Sequence, residues 1–146
     1  VGSSFTISPL SSAWLQSQLL SLESIHIKRQ NDWQYYFDLL RPLLRKDLIA
    51  FPDPDSIREG NGHIFYLKTH VRHALQTYLN QQNIASAVHY PALNQSPASL
   101  NAGLNKSCPI AEQASKRLLR LPMFHSLSRQ QIETICQHIQ QFYSSR

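Results

Sequence analysis

The sequence predicts an α+β fold, a short sheet with helices on one face, preceded by a long helix. Three observations carry this. Ser8-Pro9 is a strong helix start, and it opens a run of apolar residues at near-helical spacing. Two stretches rich in β-branched, aromatic and small residues, 63–68 and 84–90, flank a helical pattern. Ser128 and Gln131 form a capping-box pair ahead of a last amphipathic segment.

Taken in chain order, the elements follow from local chemistry. The Ser8 hydroxyl can accept from the free N–H groups of a first turn, and Pro9 lacks an N–H where none would be bonded. Leu10, Trp14, Ile25, Trp33, Phe37 and Leu40 then recur up to Arg41-Pro42, giving one long helix with a bend expected within residues 23–27. Such a helix exceeds what a small core needs and is expected to lie against a second domain. Phe51-Pro52-Asp53-Pro54-Asp55 is a loop, and residues 63–68 read as a buried strand. Thr69 is placed to cap a helix through Asn80, with Val71, Leu75, Tyr78 and Leu79 facing inward. Residues 84–90 read as a second strand, 91–109 as mostly loop, 110–120 as a helix and 121–124 as an extended connection. In the last helix Ile132, Ile135, Cys136, Ile139 and Phe142 fall at three- and four-residue steps, a predicted core face. The expected organisation is residues 1–42 as a linking helix with its preceding turn, and 43–146 as a small α+β domain.

Composition narrows the function classes. The 146 residues, 42% hydrophobic and 16% charged, suit one ordinary domain. A chain of this size buries roughly two thirds of its unfolded surface without staples. Cys108 and Cys136 are the only cysteines, which is neither a disulfide framework nor a zinc spacing. His70 and His73 lack a carboxylate or thiol to complete a metal site, so no metal is expected. No apolar run approaches the roughly 18 residues of a membrane span, and a cytoplasmic location is expected. The net charge of +5 is concentrated at helix ends, in Arg41, Arg45 and Lys46 and in Lys116, Arg117 and Arg120, where cations complement exposed carbonyls. No aromatic-basic strand motif or recognition helix accompanies them, so nucleic acid is not an expected partner. Neither a Gly-x-Ser-x-Gly elbow nor a Gly-rich phosphate loop occurs among the four glycines.

His89-Tyr90 is the sharpest candidate site, because the pair closes an expected strand and enters a proline-containing loop, where side chains are displayed by a rigid scaffold. Three segments extend this reading: Asn61-Gly62-His63-Ile64-Phe65-Tyr66, Val88-His89-Tyr90-Pro91-Ala92-Leu93-Asn94 and Leu118-Leu119-Arg120-Leu121-Pro122-Met123-Phe124. In order and spacing they resemble the C-terminal part of DegT/DnrJ-type sugar-nucleotide aminotransferases, which depend on pyridoxal phosphate (PLP). The resemblance runs from about Gly2 to Phe142. It is closest to the transaminases that act on dTDP-4-keto-6-deoxyglucose in enterobacterial common antigen synthesis.

The resemblance implies the small C-terminal domain of fold-type I PLP-dependent transferases, with the large PLP-binding domain upstream and absent from this chain. In that family a lysine holds PLP and shuttles protons, glutamate typically donates nitrogen, and a keto group of a nucleotide sugar receives it. His89 and Tyr90 would lie near the substrate side of the cofactor pocket. Asn94 stands where the family commonly has the histidine of Pro-Leu-His; its amide can bond a sugar hydroxyl but does not exchange protons near neutral pH. Ser4 stands where many members have an asparagine that reaches the PLP phosphate of the neighbouring subunit, and Thr6 where they have arginine. Gly2-Ser3-Ser4-Phe5 matches the Gly-Ser-Ser-aromatic version of the dTDP-4-keto-6-deoxyglucose subgroup.

None of the five lysines matches the family's PLP-binding segment. No catalytic residue is therefore expected on this chain, and the isolated chain is expected to be inactive. The implied partners are a missing N-terminal PLP domain or second subunit, a second copy in a homodimer, and a nucleotide sugar. One half of a split enzyme and a non-enzymatic binding or regulatory domain are the alternative readings.

Overall fold

A computed structural model of the chain describes residues 6–52 and 60–145. Helix α1 (Pro9–Leu20) starts as expected, with Ser8 Oγ accepting from the Ser11 N–H at 3.2 Å. It does not continue as one rod. Ser21, at φ −103° and ψ 6°, interrupts the helix two residues before the expected bend, and α2 (Leu22–Leu44) follows. The Ser21 N–H turns back to the Gln18 and Leu19 carbonyls, a tightened final turn. At its far end α2 passes the expected stop at Pro42, because Leu43 is buried in the core and holds the last turn in place.

The sheet has two strands, β1 (Phe65–Lys68) and β2 (Leu118–Leu121), antiparallel with Phe65 opposite Leu121 and Lys68 opposite Leu118. Alternation puts Phe65, Leu67, Leu119 and Leu121 on the buried face. Single bridges extend each edge, Ala50 to Lys68 and Ala87 to Arg120. Two expectations are corrected here. The stretch 84–90 contributes Ala87 alone, and the second strand comes from residues 118–121, of which 118–120 were expected as the end of a helix. Leu-Leu-Arg-Leu alternates as a strand does, and pairing with β1 decides between the two local options.

Helix α3 (Arg72–Gln81) follows β1. Thr69 does not cap it: its hydroxyl shares a 2.7 Å hydrogen bond with Tyr143 and accepts from the Val71 N–H at 3.3 Å. The expected loop over 91–109 contains a 3-10 turn, Leu93–Gln95, and α4 (Pro97–Asn101), which Ser96 caps. Then come α5 (Pro109–Arg117), β2 and α6 (Arg129–Ser144). The capping box of α6 is complete, with Ser128 Oγ accepting from Gln131 N–H at 3.2 Å and Gln131 Oε1 from Ser128 N–H at 2.9 Å.

Helices α2, α3 and α6 supply the rest of the core. Phe65 stacks on Tyr36 with ring centroids 4.7 Å apart, and Leu75, Leu79, Ile132 and Ile139 are fully buried beside them. Polar pins set the helix register: Gln140 Nε2 donates to the Leu39 carbonyl at 2.8 Å, and Tyr36 Oη to that of Pro122 at 3.0 Å. Burial pushes the Cys136 thiol up to about 12, so it stays an inert core group at neutral pH.

Asn61-Gly62-His63 is a seat for β1 on α2. Gly62 has φ +58°, and a Cβ there would lie 2.8 Å from the Arg29 carbonyl carbon and oxygen. Only glycine meets both conditions. Around it, His26 Nε2 and Gln30 Nε2 donate to the Gly60 carbonyl at 3.1 and 3.0 Å, and Arg29 Nη1 to that of His63 at 3.2 Å. No helix among the described residues is long and apolar enough to cross a membrane.

Candidate functional site

The backbone of Ala87 is bonded to Arg120 of β2 in both directions, at 3.1 and 2.8 Å. That bridge fixes the chain two residues before His89. His89 and Tyr90 then stand exposed, their ring centroids 4.7 Å apart at 66°, with Tyr90 70% accessible. Buried Ala92 re-enters the body of the fold just after them. The pair thus projects from a short segment held at both ends.

Asn94 hydrogen-bonds away from the pair. Its Nδ2 donates to the Lys106 carbonyl at 2.9 Å and to Glu112 Oε1 at 2.7 Å, and the same Glu112 oxygen accepts the Cys108 N–H at 2.9 Å. The Cys108 N–H first, and the Asn94 amide second, hold the Glu112 carboxyl below its ordinary range. Both Asn94 amide protons are committed to the chain itself. Its buried Oδ1 has no protein partner, leaving one acceptor as its unused group.

Chemically, His89 offers two ring nitrogens for hydrogen bonding, and Tyr90 a phenol and an aromatic face. The structure brings these two expected residues together and makes Asn94 a joint between their loop and α5. Ser4 lies outside the described residues. Sequence reading missed Glu112 and Cys108. The available signal was a carboxylate in the first turn of a helix opened by Pro109, where negative charge is favoured.

A covalent cofactor anchor needs an amine activated by desolvation or by a neighbouring cation and close to the substrate-side residues, and the lysines are placed otherwise. Lys28 Nζ is tied to Asp32 Oδ2 at 2.6 Å and to the Leu127 carbonyl at 2.9 Å. Lys46, Lys106 and Lys116 are exposed, and half-buried Lys68 lies on the sheet edge opposite Ala87. No step through a covalently held PLP is derived from these residues.

A family model described as the DegT/DnrJ/EryC1/StrS aminotransferase family matches residues 1–140. The chain belongs to that family. DegT/DnrJ/EryC1/StrS members are PLP-dependent sugar aminotransferases. One curated relative is a dTDP-3-amino-3,6-dideoxy-α-D-galactopyranose transaminase from Aneurinibacillus thermoaerophilus, 25% identical over 91% of this chain and 36% of its own length. Another is a UDP-N-acetyl-3-dehydro-α-D-glucosamine 3-aminotransferase from Acidithiobacillus ferrooxidans, 34% identical over 83% of this chain and 33% of its own. Among solved structures, DesV of S. venezuelae aligns with a TM-score of 0.77 and 27% identity, over 89% of this chain and 35% of DesV. The chain therefore spans about a third of the length of the relatives it matches. Its fold is the small α+β domain of the DegT/DnrJ/EryC1/StrS aminotransferases.

Proposed function

We propose that this chain is the C-terminal part of an aminotransferase that transfers an amino group, typically from glutamate, to the 4-keto group of dTDP-4-keto-6-deoxyglucose. The product would be dTDP-4-amino-4,6-dideoxygalactose, a precursor of surface polysaccharide such as enterobacterial common antigen. The observation that carries the reading is the outward display of His89 and Tyr90 on a segment pinned by Ala87 and Ala92, the place where a substrate-side motif is expected. The Gly-Ser-Ser-aromatic version at residues 2–5 supports the subgroup.

In this reading an upstream domain or second subunit brings PLP and its lysine, and two copies form the intact enzyme. PLP, when bound, supplies the electron sink for amino transfer. Ser4 would contact its phosphate. Tyr90 and His89 would orient the sugar, Asn94 would serve the substrate side by holding their loop to Glu112, and the chain alone would not turn over. The reaction would run in the cytoplasm, where nucleotide sugars would be supplied.

The test is PLP titration of the chain, borohydride reduction and intact-mass analysis, repeated with the upstream domain added. No adduct on the chain alone, with glutamate-dependent amination of dTDP-4-keto-6-deoxyglucose once the domain is present, is the expected result. A specific reduced adduct on one of the five lysines here would overturn the division of labour. Because two relatives are named for amination at a sugar's 3-position, 3-keto nucleotide sugars are run in parallel. Preference for them would overturn the 4-keto assignment while leaving the domain assignment intact.

A further inference from the structure

A concavity of about 250 Å³ lies on the sheet edge opposite the bridge that positions His89 and Tyr90. Lys68, His70 and Arg117 line it, from β1, the turn after β1 and the end of α5, and Asp47 is its single carboxylate. Its remaining wall includes Ile49 and Ile110. The backbones that carry the two cations are fixed there: Lys68 is bonded through both its N–H and its carbonyl to Ala50, each at 2.8 Å, and the Arg117 carbonyl accepts from the Thr69 N–H at 3.0 Å.

Among the described residues neither Lys68 nor Arg117 forms an ion pair, and both are only partly exposed. The Arg117 charge does favour the C-terminus of α5, but that interaction needs no second cation facing the same hollow. Two cations brought together from separate elements repel, and walls of low dielectric concentrate their field in the space between them. After Asp47 is counted the lining keeps a net positive charge at neutral pH.

We propose that this concavity binds a small phosphate-bearing anion. A guanidinium suits two phosphate oxygens at once, and a lysine ammonium supplies a point charge beside it. The hollow exceeds what orthophosphate needs, and its apolar wall at Ile49 and Ile110 accommodates the carbon part of a phosphate monoester. The site is made of residues of this chain alone and does not depend on the amino-transfer reading.

The test is a titration of the 146-residue chain with orthophosphate and, in a second arm, glucose 1-phosphate, followed by backbone amide NMR. Chloride at equal ionic strength is the control. Saturable shifts confined to residues 47–50, 68–70 and 110–117 are expected. Tighter binding in the second arm identifies a monoester as the ligand, and equal binding identifies free phosphate. Lys68→Gln should weaken binding by about 10-fold, the loss of one hydrogen bond to an ion, and Arg117→Gln by more, because two are lost. Arg41→Gln, which removes the same charge elsewhere, should change nothing. Unsaturated shifts spread over the basic surface, an equal response to chloride, or unchanged binding in both folded variants would overturn the proposal.

Discussion

Helices α1 and α6 both begin on a serine whose hydroxyl accepts an N–H at 3.2 Å, yet α6 buries Ile132, Ile135, Cys136, Ile139 and Phe142 whereas α1 buries nothing. The cap starts a helix, and the distribution of apolar side chains decides what it needs around it. In α6 they share one stripe that α2 and α3 cover. In α1, Leu10 and Trp14 lie on one side and Leu15 and Leu19 about 140° round from them, all exposed. A helix apolar on opposed sides is normally enclosed. Within the proposed enzyme, the upstream domain and the second copy would supply that enclosure.

The sharpest way to test this contrast is to compare the two regions energetically in the isolated chain. Phe65→Ala, which empties the centre of the aromatic stack, should cost about 3–5 kcal/mol in urea unfolding. Trp14→Ala, at a side chain 73% exposed, should stay within about 0.5 kcal/mol, and a loss near that of Phe65→Ala would break the comparison. Gly62→Ala should cost about 1–3 kcal/mol, since it combines a left-handed backbone with contact on the α2 main chain. A smaller loss would mean the seat on α2 gives way easily. Ser128→Ala should cost about 1 kcal/mol, while Ser8→Ala should leave the urea midpoint unchanged, because fraying of α1 exposes no core.

The smallest effect concerns the joint behind the candidate site. The Glu112 carboxyl is held low by the Cys108 N–H and the Asn94 amide, so these bonds favour its ionised form. A depressed pKa gives stability that is present above the ordinary glutamate range and is lost as the pH falls through the lowered value. The Asn94 side-chain NH₂ resonances should therefore hold steady through the ordinary range and shift only below it. A shift centred at or above that range would show that Asn94 is not bonded to the carboxylate.

Much of the architecture was legible because it is locally encoded. The faces of α3 and α6, the start of α1 and the core of β1 follow from caps and spacing that act within a few residues. The second strand was not, because Leu118-Leu119-Arg120-Leu121 becomes extended through a partner some fifty residues away, which local periodicity does not report. Residues 84–90 carry strand-forming chemistry, but among them only Ala87 forms a β-bridge. Helix α4 repeats at Ser96-Pro97 the start signal used at Ser8-Pro9, and its short length hid it inside a loop. At the site, adjacency alone put His89 beside Tyr90. The bond from Asn94 to Glu112 depends on how the loop folds back, and the amide side chain gave no hint of that direction.

The two single-residue bridges also bear on how the molecule behaves at high concentration. An open strand edge is a template for intermolecular pairing and aggregation. Here Ala50 occupies the outward bonds of Lys68 and Ala87 those of Arg120, so among the described residues neither margin presents a long unpaired ladder to a neighbour. Self-association of the isolated chain should then proceed through side chains on α1 and weaken when Leu10 or Leu15 is made polar, without a rise in intermolecular β-structure in the infrared spectrum.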